Sequence, residues 1–174
     1  MKYLLDTNAL IQSQNSFYAM DFCPGFWDFL ERQFELGTSG SIQKVYDEIM
    51  AGKDALSQWT KDSIGKKTFI DQSANPAYQT KYLEIANYVQ GSSQFRDSAK
   101  REFLKVEEAD PWLAAVAAVD GCTVVTQEVL EPNAQRRVPL PNVLEEFGVP
   151  YADIFSFLRN QEACFVLESK MNCA

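Results

Sequence analysis

The residues of this chain best placed to do chemistry are carboxylates at the ends of apolar runs. Asp6 follows Tyr3-Leu4-Leu5 and precedes Thr7-Asn8. Asp110 stands before Pro111, at the head of the longest nearly uncharged stretch, Pro111 to Val119. Glu128 lies two residues after Thr126, just past Cys122-Thr123-Val124-Val125-Thr126. A segment opening at Ser41 adds Asp47 and Glu48. Each acid has an ordinary use when taken alone. Asp6 is a good N-cap for a following helix. Asp followed by Pro is a common helix start. Glu128 alone reads as a surface loop residue. As a set they say more, because segments far apart in sequence would share one rim of a parallel sheet. Carboxylates a few Å apart repel strongly at low effective dielectric, so they are protonated, splayed or held by a cation. An all-oxygen donor set suits Mg²⁺ or Mn²⁺ rather than zinc. These ions keep waters and accept phosphate oxygens, which makes phosphodiester hydrolysis the expected chemistry. Thr7, Asn8 and Thr126 are placed to orient the ligands or the substrate.

Other chemistries are excluded by composition. The chain has no histidine, which removes Ser-His-Asp and Cys-His catalysis and His-ligated zinc. Its cysteines, Cys23, Cys122, Cys164 and Cys173, are scattered with no C-x-x-C pair, so reduced thiols and a cytoplasmic location are expected. Sixteen basic residues against 24 acidic ones give a net charge of -8. That balance argues against a general nucleic-acid binder. It does not exclude a nuclease, because a bound divalent cation reverses the local sign. Basic residues do cluster at Lys61, Lys66 and Lys67, at Lys100, Arg101 and Lys105, and at Arg136 and Arg137. Solvated surface is the ordinary use of each cluster, and phosphate contact is the functional one. No stretch approaches the roughly 20 apolar residues a bilayer span needs, so no membrane partner is expected.

The elements that must position these acids alternate in type. Lys2–Leu5 reads as a strand, followed by a short helix over Ala9–Gln12. Helical spacing is clear over Phe26–Leu36, with Gly37 as a stop. Thr38–Gly40 is a link or brief strand. Ser41 is a candidate N-cap for a helix bearing Ile42, Val45, Tyr46, Ile49 and Met50 on one side. Asp47 and Glu48 fall on opposite flanks of that apolar arc, so helix phase does not choose between them. Further helices are expected over Asp54–Ile64, Ala77–Gln90, Gln94–Leu104, Pro111–Asp120, Pro141–Phe147 and Asp153–Asn160. Cys122–Thr126 is the best strand, β-branched and apolar as in a buried parallel sheet. Edge pairing is expected for Val138–Leu140 and for Phe165–Leu167. The alternation predicts an α/β fold, residues 1–174 as one domain, with ligands at the carboxyl ends of the strands.

The acid-bearing segments together resemble the PIN-domain ribonuclease family, and a bacterial PIN-like subfamily in particular. The resemblance runs through Tyr3-Leu4-Leu5-Asp6-Thr7-Asn8-Ala9-Leu10-Ile11 and Pro24-Gly25-Phe26-Trp27. It continues through Val45-Tyr46-Asp47-Glu48-Ile49, Leu56-Ser57-Gln58-Trp59 and Ala109-Asp110-Pro111-Trp112-Leu113-Ala114. Val124-Val125-Thr126-Gln127-Glu128 and the stretch from Val138 to Val149 complete it. It implies a three-layer α/β/α sandwich around a mainly parallel sheet. It implies Mg²⁺ or Mn²⁺ held by Asp6, Glu48, Asp110 and Glu128, and cleavage of RNA. The family's V-x-x-E-I pattern selects Glu48 over Asp47. At the fourth acid most members carry Asp, and Glu128 departs from that. Stand-alone bacterial relatives of this size resemble toxins of toxin–antitoxin pairs, which implies a protein antitoxin over the acidic rim, and family members often form homodimers.

Two other readings are set against this one. A haloacid-dehalogenase-like phosphatase also opens with a strand ending in Asp. It requires a second Asp two positions on, where Asn8 stands, and an amide cannot shuttle that proton. A catalytically weak PIN-like domain that binds RNA or protein would ordinarily have lost its acids, and all four are present here.

Overall fold

The computed structural model describes residues 1–166. Four short strands form one all-parallel sheet in the order β2-β1-β3-β4. They are β1 (Tyr3–Leu5), β2 (Ser39–Gly40), β3 (Thr123–Val125) and β4 (Tyr151–Ala152). Tyr3, Leu4 and Leu5 lie level with Thr123, Val124 and Val125. Leu4, Leu5, Val124 and Val125 are fully buried. Burial on both faces explains why the two inner strands read as continuous apolar runs rather than alternating ones.

Among the described residues nine α-helices flank the sheet. They are α1 (Thr7–Gln12), α2 (Pro24–Glu35), α3 (Gln43–Gly52), α4 (Ala55–Trp59), α5 (Pro76–Gly91), α6 (Asp97–Phe103), α7 (Asp110–Asp120), α8 (Leu140–Glu146) and α9 (Ile154–Asn160). The arrangement is a three-layer α/β/α sandwich. One hydrophobic core joins the sheet to the helices, with Phe26, Leu30, Ile85, Leu113, Leu144 and Phe157 among its largest members. Two helices widen into π-turns, over Ser13–Phe17 after α1 and Thr60–Ile64 after α4. At the first, the Ser13 hydroxyl donates back to the Ala9 carbonyl at 2.7 Å, a bond that competes with the helix ladder.

Several expectations need correction. Ser41 does not cap α3. Ile42 holds the cap position, and the Ser41 hydroxyl donates to the Leu5 carbonyl at 2.6 Å, tying the end of β2 to the end of β1. Val138–Leu140 does not pair at the sheet edge. Its residues are buried, and Leu140 opens α8 behind Pro139. The edge is Tyr151–Ala152 instead, two residues too short to show a period in sequence. The helix expected from Gln94 starts at Asp97, because the Gln94 amide turns to the 129–137 loop. Phe165 and Val166 form no strand, and Leu167 lies outside the described residues. Among the described residues no disulfide forms at Cys23, Cys122 or Cys164, and Cys173 lies outside them. Among the described residues no helix is long and apolar enough to cross a membrane.

Candidate active site

Parallel strands send all their carboxyl ends to one rim, and the helices that follow begin there. Asp6 is the first residue past β1. Its N–H donates to the Val125 carbonyl at 2.9 Å, continuing the ladder by one step. Asp6 occupies the N-cap position of α1 but makes no capping bond. Its carboxylate turns toward Thr126, at the matching level of β3, whose hydroxyl donates to Asp6 Oδ2 at 2.8 Å. The Thr126 oxygen in turn accepts from the Glu128 N–H at 3.2 Å. Asn8 Oδ1 accepts the Gln127 N–H at 2.9 Å. The end of β1 and the turn after β3 are thus stitched together by side chains.

α7 delivers Asp110 to the same rim. It runs back along the sheet, ends at Gly121 in the left-handed region (φ 66°) and feeds β3. Its N-terminus therefore lies beside the carboxyl end of β3. The N-cap is Ala109, with Asp110 and Pro111 forming the first turn, so Asp110 is not the cap that its sequence context suggests. This frees the Asp110 carboxylate from local backbone bonding.

α3 supplies Glu48. Its Oε1 accepts the Ala109 N–H at 2.8 Å, and its Oε2 accepts the Thr7 hydroxyl. One carboxylate thereby touches the residues adjoining both Asp6 and Asp110. Asp47 points elsewhere: it is exposed and pairs with Lys66 at 2.7 Å. Glu128 Oε2 accepts the Leu140 N–H at 2.8 Å, and its Oε1 lies 3.7 Å from the Arg137 guanidinium.

The electrostatics follow from this convergence. Burial pushes the Asp6 carboxyl up to about 7. Glu128 and Glu48 add repulsion, against the lowering bonds from the Thr126 hydroxyl and the Thr7 N–H. Asp110 is raised well above the usual carboxylate range, first by burial and then by Asp6, Glu128, Glu48 and Glu108 in turn. Asp110 therefore faces all three other candidate acids, and Asp6 faces Glu48 and Glu128. Glu108, a fifth acid on this edge, is raised by burial and by Glu48. Its only signal in sequence is the run Glu107-Glu108 just ahead of Asp110. Arg137, one of a basic pair in sequence, lies against Glu128 here. Gln127 Oε1 accepts the Ile154 N–H at 3.1 Å and joins the turn to α9.

Among the described residues no group of three or more acids or thiols stands at ion-ligating spacing. The acids rest on separate anchors: Asp6 on Thr126, Glu48 on Thr7 and Ala109, Glu128 on Leu140. The donor chemistry nevertheless fits a hard divalent cation. It is all oxygen, and the burial and like charge that raise Asp6 and Asp110 are offset by a cation. Beside the acids opens a cleft of about 530 Å³, lined by Thr126–Leu130 on one side and by Tyr151–Asp153, Phe155 and Ser156 on the other.

No curated protein and no solved structure matches the chain. Residues 3–165 match the family described as "Domain of unknown function (DUF4411)", and the chain belongs to that family.

Proposed function

We propose that this protein is a PIN-like, metal-dependent endoribonuclease that hydrolyses phosphodiester bonds in RNA. The observation that carries the reading is the convergence of Asp6, Glu48, Asp110 and Glu128 at the carboxyl rim of the sheet. Structural acids are ordinarily capped or ion-paired. Here burial and like charge raise Asp6 and Asp110 together, a pattern characteristic of functional sites.

In this reading Asp6 and Asp110 hold Mg²⁺ or Mn²⁺ directly, and Glu48 and Glu128 hold it directly or through water. When bound, the ion activates water and offsets charge on the phosphate oxygens. The remaining work belongs to the chain. Thr126 fixes the Asp6 Oδ2 oxygen. Thr7 and the Ala109 N–H fix both Glu48 oxygens and so set the spacing between the Asp6 and Asp110 segments. Asn8 holds the turn that carries Glu128. One of these acids takes the proton from the attacking water.

The family resemblance extends the reading to a cytoplasmic toxin restrained by a protein antitoxin. Val129 and Leu130, both exposed, line the cleft beside Glu128 and offer that partner apolar surface. Co-purification with the product of a neighbouring helix-turn-helix gene, and inhibition by it, tests this extension.

Purified protein with Mn²⁺ or Mg²⁺ is expected to cut RNA. Asp6→Asn is expected to abolish the cutting while keeping the native circular dichroism spectrum. Cleavage that persists in Asp6→Asn, or no cleavage of any of a panel of RNAs with either metal, overturns the proposal.

A further inference from the structure

The loop after Glu128, residues 129–137, is built rather than loose. The Gln94 amide donates to the Pro132 and Ala134 carbonyls at 3.0 and 3.1 Å. The Arg96 N–H donates to the Gln135 carbonyl at 2.8 Å. Asn142 clamps Glu131 from both sides, accepting its N–H at 3.0 Å and donating to its carbonyl at 2.8 Å. Between this loop and the segment before α6 lie two adjoining cavities of about 420 and 500 Å³. Both are lined by Arg96, Asn133 and Gln135, and the second also by Arg136 and Arg137.

Their charge is unlike that of the rest of the molecule. The chain carries -8 overall, yet three arginines converge here, and among the described residues Glu131 is the only acid in either lining. Arg137 is engaged by Glu131 and Glu128. Arg96 and Arg136 are exposed, and among the described residues neither has an ion pair. Two guanidinium forks without ion pairs among the described residues, lining the same cavities as the side-chain amides of Asn133 and Gln135, suit the bidentate capture of phosphate oxygens. Through Arg137 the groove meets Glu128, so a chain of phosphates lying in it runs into the acidic rim. Local cationic surface is also what an acidic protein needs to bring a polyanion to a negative centre.

The geometry points to the Arg96–Arg136 groove as a binding site for the phosphodiester backbone of single-stranded RNA flanking the bond at the acidic rim. The assignment of RNA as the ligand rests on the nuclease reading above.

The test is fluorescence anisotropy of a labelled single-stranded RNA 12-mer with the full chain in EDTA, between 50 and 200 mM NaCl. Arg96→Gln/Arg136→Gln is expected to weaken binding at least tenfold. It should also flatten the slope of log affinity against log salt by about 1.4, for two phosphate contacts. Arg96→Lys/Arg136→Lys, which keeps the charge but not the bidentate fork, is expected to keep the salt slope of the unaltered chain while binding more weakly than it and more tightly than the Gln variant. Both changes are at exposed positions, and thermal melts confirm folding. An unchanged affinity and salt slope in the Gln variant overturns the groove, as does a failure of the unaltered chain to bind at 50 mM salt. RNA binding without metal-dependent cleavage would end the nuclease reading alone. Cleavage with unaltered binding by the Gln variant would end the groove alone.

Discussion

The Thr126 hydroxyl donates to Asp6 Oδ2 at 2.8 Å, joining residues 120 positions apart at the same level of two neighbouring strands. It is the strongest force holding the Asp6 carboxyl down against its burial. Hydrogen bonds to a charged partner contribute about 1.5–3 kcal/mol. Thr126→Val is therefore expected to raise the Asp6 pKa above 7. It should destabilise the fold by about 2 kcal/mol at pH 8 and by less at pH 5, where Asp6 is protonated. Urea unfolding at both values checks this; an equal loss at the two would contradict it.

The raised Asp6 pKa fixes a sign for stability against pH. Folded, the group titrates near 7; its ordinary value is 3.8. Between those values the folded chain holds a proton that the unfolded chain releases, so stability falls as pH rises. The contribution is whole below pH 3.8 and lost as pH passes through 7, a loss on the order of a few kcal/mol. Asp110, shifted the same way, adds to it. The metal-free protein should thus show a downward slope between pH 4.5 and 8 that is shallower in Asp6→Asn, and Mn²⁺ should recover stability at pH 8. Parallel curves for the two proteins, from denaturant titrations across that range, would falsify the assignment.

Adjacent acids on α3 should behave differently. Glu48→Ala leaves the Ala109 N–H and the Thr7 hydroxyl without their partner. A cost of about 1–3 kcal/mol follows, together with a loss of metal-dependent cleavage of about a hundredfold or more. Asp47→Asn removes only an exposed pair with Lys66, and is expected to change stability by less than about 0.5 kcal/mol and cleavage not at all. Denaturation and initial-rate measurements on both variants decide the matter, and comparable losses would place Asp47 in the site as well.

Arg137 lies 3.7 Å from Glu128 and competes with any cation for that carboxylate. The pair is partly exposed, so Arg137→Gln should alter stability by less than about 1 kcal/mol. Mn²⁺ binding, followed by isothermal titration calorimetry, should tighten once the guanidinium is gone. Weaker binding would show instead that Arg137 holds Glu128 in a productive pose.

The fold was legible where burial wrote itself into composition. Tyr3–Leu5 and Thr123–Val125 are buried on both sides, and their apolar runs announced a parallel sheet. Asp6 and Thr126 were legible as strand-end residues because the apolar run stops at each. Helix phase did not settle the Asp47–Glu48 choice, since both flank the apolar arc of α3; the family pattern favours Glu48, and the two part in space, Glu48 toward Ala109 and Thr7 and Asp47 toward Lys66. Two-residue β4 left no period to read. Arg137 and Glu108 acquire their place only through the fold, which sets Arg137 beside Glu128 and brings Glu48 near a partly buried Glu108, and single-sequence pattern holds no such information.

The placement of β1 between β2 and β3 has a temporal consequence. Asp6 is made more than a hundred residues before its partner hydroxyl on Thr126. A growing polypeptide carries this carboxylate unassembled while the residues between them are added. Whatever this rim does, it cannot do until Thr126 and Glu128 have joined it.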